Sequence, residues 1–273
     1  MIKKYDEVQV CDLGNKKRFI GSYKVFRKPR IGDTGIVVYI MGSKEEGFLY
    51  TVECAGEDGK SLWIADFKEK EIQKINLMTK IINQRKVEFQ VNSIFPTRWS
   101  PRALSGEPIT DEELFTLFEA ARWAPSSRNN QPWRFIYAKQ DTPAWEKLFT
   151  LLGDFNKEWT RNAAVLLVII SRKTFEYDGK ISRTHSFDTG AAWENLALQA
   201  SLMGLIAHGM EGFDYDTAKK ELHIPDDYQV EAMVAIGKPG KKENLSAALQ
   251  EREQPSERKP IQAFVFEGMF NEK

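Results

Sequence analysis

The sequence lacks most features that mark nucleic-acid-binding or membrane proteins. Its 273 residues carry 39 basic and 39 acidic side chains, and this balance argues against a chain devoted to nucleic acid or another polyanion. No apolar run approaches the roughly 20 residues that span a bilayer. The N-terminus also lacks the apolar core of a signal peptide. We therefore expect a cytoplasmic protein that does not associate with membranes.

Cysteine and histidine are scarce. Cys11 and Cys54 are the only cysteines and form no CxxC pair, and the three histidines are scattered. This set predicts reduced thiols and no metal site. The sequence also contains no GxGxxG fingerprint and no evident Ser-His-Asp or Cys-His set, so neither a Rossmann dinucleotide site nor a hydrolytic triad is expected.

Residues 1–68 read as several short strands separated by glycine turns. The runs Gly32–Gly42, Gly47–Cys54 and Lys60–Phe67 are rich in β-branched and aromatic residues. They predict a small all-β barrel domain that resembles an SH3-like or KOW-like module. Within it, Lys16–Arg30 is basic and holds no acidic residue. That run suits either a solvated charged surface or phosphate contacts to nucleic acid, and the first is the commoner case.

Residues 69–91 show helical spacing. Ile72, Ile75, Met78 and Ile82 recur at intervals of three and four, with lysine and glutamate on the other positions. We interpret this segment as a helical linker to a second domain, residues 92–273.

The second domain opens with a basic segment. Arg98, Ser100 and Arg102 alternate in an extended, proline-bounded stretch, which would place two guanidiniums and a hydroxyl on one side of the chain. Guanidinium groups bind phosphate through a fork of N–H donors. Thr110 and Glu113 then predict a capping box at the start of a helix.

That helix ends in the loop Trp123–Phe135, which carries hydroxyl and amide side chains between two prolines. Such a loop can fix donors and acceptors around a polar, ring-bearing ligand, although the same residues form ordinary turns. The partner segments elsewhere in the chain favour the ligand interpretation.

In order, RWSPR, ARWAPSSRNNQPWRFIYA, FNKEWTRNAAVLLVIISR, DTGAAWENLALQASLMGLIAHGMEGFD, VEAMVAIGKPG and SERKPIQAFVFEG resemble segments of the FMN-dependent nitroreductase family over about residues 88–270. The resemblance implies an α+β fold, a three-layer sandwich in which helices flank a mostly antiparallel sheet. It also implies a homodimer with FMN at the interface, in which the strand AFVFEG enters the partner's sheet.

The resemblance assigns a role to each candidate residue. Arg98, Ser100 and Arg102 match the segment that contacts the FMN phosphate, ribityl chain and pyrimidine, and Trp99 matches a backbone contact. Asn156 matches an asparagine at the pyrimidine end. Trp159 stands where some members have a lysine, which leaves Arg102 as the cation beside the reduced flavin. The residues that match those reaching the partner's flavin are Pro125, Ser126, Ser127 and Asn129. The loop whose N–H groups approach the reactive nitrogen of the flavin is matched by Met210, Glu211 and Gly212. The phosphate contacts are matched by Arg258 and Lys259.

The implied activity is an NAD(P)H-dependent FMN oxidoreductase that reduces nitroaromatics, quinones or similar acceptors by a ping-pong mechanism. Because no dinucleotide fingerprint is present, NAD(P)H is expected as a transient electron donor. No catalytic side chain is certain, and a proton-donating role for His208 stays open. Two alternatives also stay open: a different reaction on the same scaffold, such as dehalogenation, flavin fragmentation or azoline dehydrogenation, or a flavin-binding sensor or scaffold protein.

Overall fold

The structure is a computed structural model that describes residues 7–10, 29, 33–43, 47–55, 61–74, 85 and 87–271. Its contacts divide the chain into two units, Met1–Gln84 and Arg85–Lys273. Apart from Pro29, the basic run of residues 16–30 lies outside the described residues. In the described part of the chain, no helix is long and apolar enough to cross a membrane.

The described strands of the first unit form one antiparallel sheet in the order β4-β3-β2-β1-β5. The strands are β1 (Glu7–Val10), β2 (Thr34–Ser43), β3 (Gly47–Ala55), β4 (Ser61–Lys68) and β5 (Ile72–Lys74). Tyr50 and Trp63 are fully buried at the centre of its core.

The described strands form the predicted small all-β domain, but no ladder among them closes the barrel. The two edge strands β4 and β5 are joined by a single 3-10 turn, Glu69–Glu71, so the sheet must curl back on itself. However, β5 has only three residues, its ladder is with β1, and no ladder between β4 and β5 closes the described sheet. The result is an open, curled sheet.

The helical linker predicted for residues 69–91 is corrected as well. Its first residues form the 3-10 turn and β5, because Ile72 pairs with Val10 and is buried in the core of the sheet. Residues 75–84 and 86 lie outside the described residues, and residues 87–91 contain no helix.

The second unit is built on an antiparallel sheet in the order β6-β7-β9-β8. Its strands are β6 (Trp133–Lys139), β7 (Val165–Arg172), β8 (Ile206–Met210) and β9 (Tyr228–Gly237). The described α-helices are α1 (Ile94–Thr97), α2 (Asp111–Arg122), α3 (Pro143–Thr150), α4 (Asp154–Thr160), α5 (His185–Leu202), α6 (Tyr215–Glu221) and α7 (Ala247–Arg252).

Strand β7 is buried on both faces. Successive side chains of a strand point to opposite sides, and Leu166, Val168 and Ile170 pack with α3, α4, α6 and α7. The alternate residues Val165 and Leu167 pack with α2 and α5. The predicted three-layer α+β sandwich is therefore confirmed, with a core on each side of the sheet.

The helix ends follow local sequence signals. The Thr110 hydroxyl accepts from the Glu113 N–H at 3.1 Å, and the Glu113 carboxylate accepts from the Thr110 N–H at 2.7 Å, which confirms the predicted capping box. Helix α5 stops before Gly204, whose φ of +72° suits a residue without a Cβ.

The C-terminal arm differs from the expected strand AFVFEG. Ile261–Ala263 forms a 3-10 turn, and the described residues after it are bends and turns. Phe264, Met269 and Phe270 in this arm are 60%, 81% and 77% exposed.

Candidate cofactor site

A buried carboxylate holds the basic segment in place. Glu253, only 8% exposed, follows helix α7 and accepts the backbone N–H of Arg102 through both oxygens at 2.9 and 3.0 Å. It also accepts the N–H of Ala103 at 2.8 Å. Carboxylates are buried only where such donors replace water. The backbone at Arg102 and Ala103 is therefore held by a residue some 150 positions away in sequence.

The side chains of the basic segment separate into two groups. Arg98 donates through Nη1 to the Ser100 hydroxyl at 3.4 Å, and its Nε lies 3.8 Å from the Glu194 carboxylate of α5. The Arg102 guanidinium lies instead beside the Phe155 ring, 5.8 Å from its centroid. The predicted convergence of Arg98 with Ser100 is thus observed as a contact, whereas Arg102 extends toward α4.

Two N–H donors in this segment are buried without an acceptor among the described residues. They are Nε of Arg102 and the indole Nε1 of Trp99. A buried donor without a partner is costly, so such groups usually meet a water or a ligand. Trp99 was expected to contribute through its backbone, but its side chain provides this free donor.

His208 packs against the same segment. Its Nδ1–H donates to the Pro101 carbonyl at 2.9 Å, and its ring centroid lies 4.5 Å from that of Trp159. Burial lowers the pKa of His208 to about 4, the Pro101 hydrogen bond opposes the shift, and the charges of Arg102 and Arg98 lower it further. The imidazole is therefore neutral at pH 7.

Asn156 lies in the short helix α4 rather than in a turn. Its Nδ2 donates to the Gly212 carbonyl at 3.0 Å, and its Oδ1 accepts from the Trp159 indole at 3.2 Å. A Cβ on Gly212 would lie 2.9 Å from this amide nitrogen, so the close approach favours glycine. One amide hydrogen and one lone pair of Asn156 remain available.

The residues before Gly212 have different surroundings. Met210 ends β8 and is 5% exposed, with its side chain in the core under the sheet. Glu211 is exposed, and its carbonyl accepts from the Phe213 N–H at 2.8 Å. Any contact that Met210 makes with a ligand would therefore come from its backbone.

The loop Trp123–Phe135 is anchored to the start of α5. The Ser127 N–H donates to the buried Asp188 carboxylate at 3.0 Å, and the Ser126 hydroxyl accepts from the Gln131 N–H at 3.0 Å. Arg128, Asn129 and Gln131 all have positive φ, between 47° and 53°. Backbone strain of this kind is sustained only by surrounding contacts. Pro125 and Asn129 are exposed in this loop.

The hairpin closed by the bridge between Thr174 and Ile181 makes some of the contacts that hold the loop Trp123–Phe135 in place. The carbonyl of Thr174 accepts from Asn130 Nδ2 at 3.3 Å, and the Glu176 N–H donates to Asn130 Oδ1 at 3.0 Å. The Arg128 guanidinium lies over the Tyr177 ring, 5.4 Å from its centroid. Residues 174–177 thus pack on this loop.

Arg258 and Lys259 line a cavity of about 450 Å³ that Arg85 and Pro96 also line. Arg258 Nη1 donates to the Ser256 hydroxyl at 3.0 Å and to the Glu257 carbonyl at 3.1 Å. The sequence analysis did not identify Glu253 and Arg85, which both hydrogen-bond to the backbone of the basic segment. Both contact residues distant in sequence and stand in charged segments without a motif, so no sequence signal would have found them.

Together, the fold and the site define an α+β domain whose cations and buried N–H donors suit an anionic organic ligand. The chain belongs to the Nitroreductase family, whose sequence model matches residues 96–151 and 138–238. This confirms the resemblance read from the sequence motifs.

Three relatives illustrate the similarity. A crystal structure of an oxidoreductase containing FMN is 49% identical with a TM-score of 0.67, and the similarity covers 70% of this chain and 98% of that chain. MhqN of Bacillus subtilis, a proposed NAD(P)H nitroreductase, is 29% identical over 196 residues, covering 59% of this chain and 90% of MhqN. Protein DrgA of Synechocystis is 30% identical over 169 residues, covering 50% of this chain and 80% of DrgA.

The burial of neutral His208 predicts a pH dependence of stability. Its pKa falls from an ordinary 6.5 to about 4 on folding, so between these values the unfolded chain binds a proton that the folded chain does not. Stability should therefore decrease as the pH falls through this window, by about 3 kcal/mol in total.

Urea unfolding of the wild type and His208→Gln at pH 7 and pH 4 measures this loss, which the variant should lack. His223→Asn, at an exposed position, serves as the control and should keep the wild-type loss. An equal loss in the wild type and His208→Gln would show that His208 is not the group responsible.

Proposed function

We propose that this chain is an FMN-dependent oxidoreductase that uses NAD(P)H to reduce a small organic acceptor such as a nitroaromatic or a quinone. The single observation that carries the proposal is the pair of buried, unused donors at Trp99 and Arg102, which lie in a segment with a second arginine. The 49% identity to an oxidoreductase containing FMN supports this cofactor for the donor set.

The chemistry of the donors fits the parts of FMN. Arg98 and Arg258 would hold the phosphate, and Ser100 lies within reach of Arg98. Arg102, with its free Nε–H, would serve the pyrimidine end together with the remaining amide hydrogen of Asn156. The backbone N–H groups of Glu211 and Gly212 would approach the reactive ring, since a glycine there leaves room for the backbone.

When bound, FMN supplies a redox centre that takes two electrons from NAD(P)H and passes them to the acceptor. The protein would position the ring, keep a cation beside it through Arg102 and leave one face open. We propose that NAD(P)H and the acceptor occupy that face in turn, which is a ping-pong mechanism. His208 is neutral, and its Nδ1–H is committed to the Pro101 carbonyl, so protons would come from solvent rather than from this imidazole.

We further propose a homodimer with FMN at the subunit interface. Pro125, Ser126, Ser127 and Asn129 would then reach the partner's flavin from the loop anchored at Asp188. The exposed aromatic and aliphatic side chains of the C-terminal arm support such an interface, because apolar groups of this size are usually covered in an assembly.

The absorption spectrum of the purified protein tests the cofactor and the reaction together. The protein should be yellow, heat should release FMN rather than FAD, and anaerobic NAD(P)H should bleach the flavin absorption. A nitroaromatic or quinone added afterwards should restore it. A colourless protein that takes up no FMN on incubation would contradict the proposal, and bound flavin that NAD(P)H cannot bleach would favour a sensor or scaffold role.

The proposed domain boundary gives a further prediction. Every residue that the family resemblance assigns to the flavin lies at or after Arg98, within the unit Arg85–Lys273. A fragment that begins at Gln84 should therefore keep its FMN and most of its NAD(P)H-driven activity, because separate domains keep their own cores.

The control is the full chain assayed with one small and one large acceptor. An unchanged ratio of the two KM values in the fragment would support the boundary. A shift that depends on acceptor size would instead show that residues 1–84 help to shape the acceptor pocket.

A further inference from the structure

Arg85 is a half-buried cation that neither the sequence motifs nor the family match at residues 96–238 includes. Its Nη1 donates to the carbonyls of Pro96 and Arg98, at 2.9 and 3.0 Å. Its Nε and Nη2 are buried and have no acceptor among the described residues. A guanidinium is seldom buried with two idle nitrogens, because each lost water contact is costly unless a partner replaces it.

Arg85, which carries these two unpaired nitrogens, lines a cavity and is not part of the hydrophobic core. Arg85, Ser256, Arg258 and Lys259 line a space of about 450 Å³, together with Glu88, Glu257 and apolar residues such as Phe89, Phe95 and Phe264. The Glu88 carboxylate is partly committed, since its Oε1 accepts from the Ile261 N–H at 3.2 Å. The three cations therefore outnumber the two carboxylates in a space that is large enough for a phosphate group.

The positive charges around Arg85 are only partly balanced by the nearby carboxylates. Burial lowers the pKa of Arg85, and the positive charges of Arg258 and Arg98 lower it further, while Glu257 opposes the shift. An arginine nevertheless stays protonated near neutral pH. Arg98 and Arg258 each repel the charge of Arg85, and an anion beside Arg85 would offset that repulsion and accept the idle N–H groups.

We propose that Arg85 is a third cation for the terminal phosphate of FMN, with Arg98 and Arg258, and that its Nε and Nη2 donate to the phosphate oxygens. This proposal rests on the proposed function. The Nη1 bonds to the Pro96 and Arg98 carbonyls orient the guanidinium. Arg85 thereby couples the position of the phosphate to the backbone that carries Arg98.

Riboflavin separates the phosphate contact from every other part of the site, because it is FMN without the phosphate. The full-length protein, stripped of flavin, is titrated with FMN and with riboflavin by fluorescence quenching. The variants are Arg85→Gln and the control Arg161→Gln, which alters an exposed arginine of the same unit. Thermal unfolding of each flavin-free variant shows whether it is folded.

We expect Arg85→Gln to weaken FMN by about ten- to a hundredfold, the range of a charge-assisted hydrogen bond, and to change riboflavin by less than about twofold. Arg161→Gln should bind both flavins like the parent. If Arg85→Gln fails to fold, Arg85→Lys replaces it. A single ammonium cannot serve both carbonyls and the phosphate, so FMN alone should again weaken.

Other outcomes overturn the proposal in distinguishable ways. If Arg85→Gln binds FMN like the parent, Arg85 does not contact the phosphate, although the proposed function stands. If FMN and riboflavin weaken equally, Arg85 acts only on the fold of the segment, and the proposal is also wrong. If the parent protein binds neither flavin, the proposed function itself fails.

Discussion

The carboxylate of Glu253 and the backbone N–H groups of Arg102 and Ala103 form the contact on which the candidate site depends. These hydrogen bonds join the end of the C-terminal helix α7 to the start of the domain. The same short segment is held on its other sides. The Ala103 carbonyl accepts from the Gly240 N–H at 2.7 Å, and the Pro101 carbonyl accepts from His208. A Cβ on Gly240 would lie 2.5 Å from the Leu104 carbonyl oxygen, so glycine is needed there.

The fixed backbone sets the directions in which the nearby side chains extend. Hydrogen bonds hold the backbone of residues 101–103, so Arg102 leaves it in a set direction, toward α4, while Arg98 just before this segment extends toward α5. The idle donors of Trp99 and Arg102 are thus held in place before any ligand arrives. Preorganised donors of this kind bind an anion without the cost of ordering flexible side chains.

Local patterns predicted the parts of the structure that depend on neighbours in sequence. The capping box at Thr110 needs only residues three positions apart, and the apolar run of β7 fits only a strand buried on both faces. The predicted helix is wrong at residues 72–74, because Ile72 belongs to a strand that pairs with Val10, more than 60 residues earlier. Tertiary pairing overrode a local period.

The candidate site was predictable only in part for the same reason. Arg98, Ser100 and Arg102 lie in a recognisable motif, and the structure describes Arg98 in contact with Ser100. Glu253 and Arg85 carry no motif, because their importance comes from contacts with a segment far away or across a loop. The spacing of Asn156 and Gly212 gave no sign that the two residues bond to each other.

The measurement that tests this account most directly is the FMN dissociation constant of Glu253→Gln, with Glu251→Gln on an exposed face of the same helix as the control. The amide is nearly the same size but replaces one acceptor with a donor that faces backbone N–H groups. We expect FMN to bind about tenfold or more weakly, since buried donors lose their acceptor. Unchanged FMN binding in a folded Glu253→Gln protein would contradict the claim that this carboxylate organises the site.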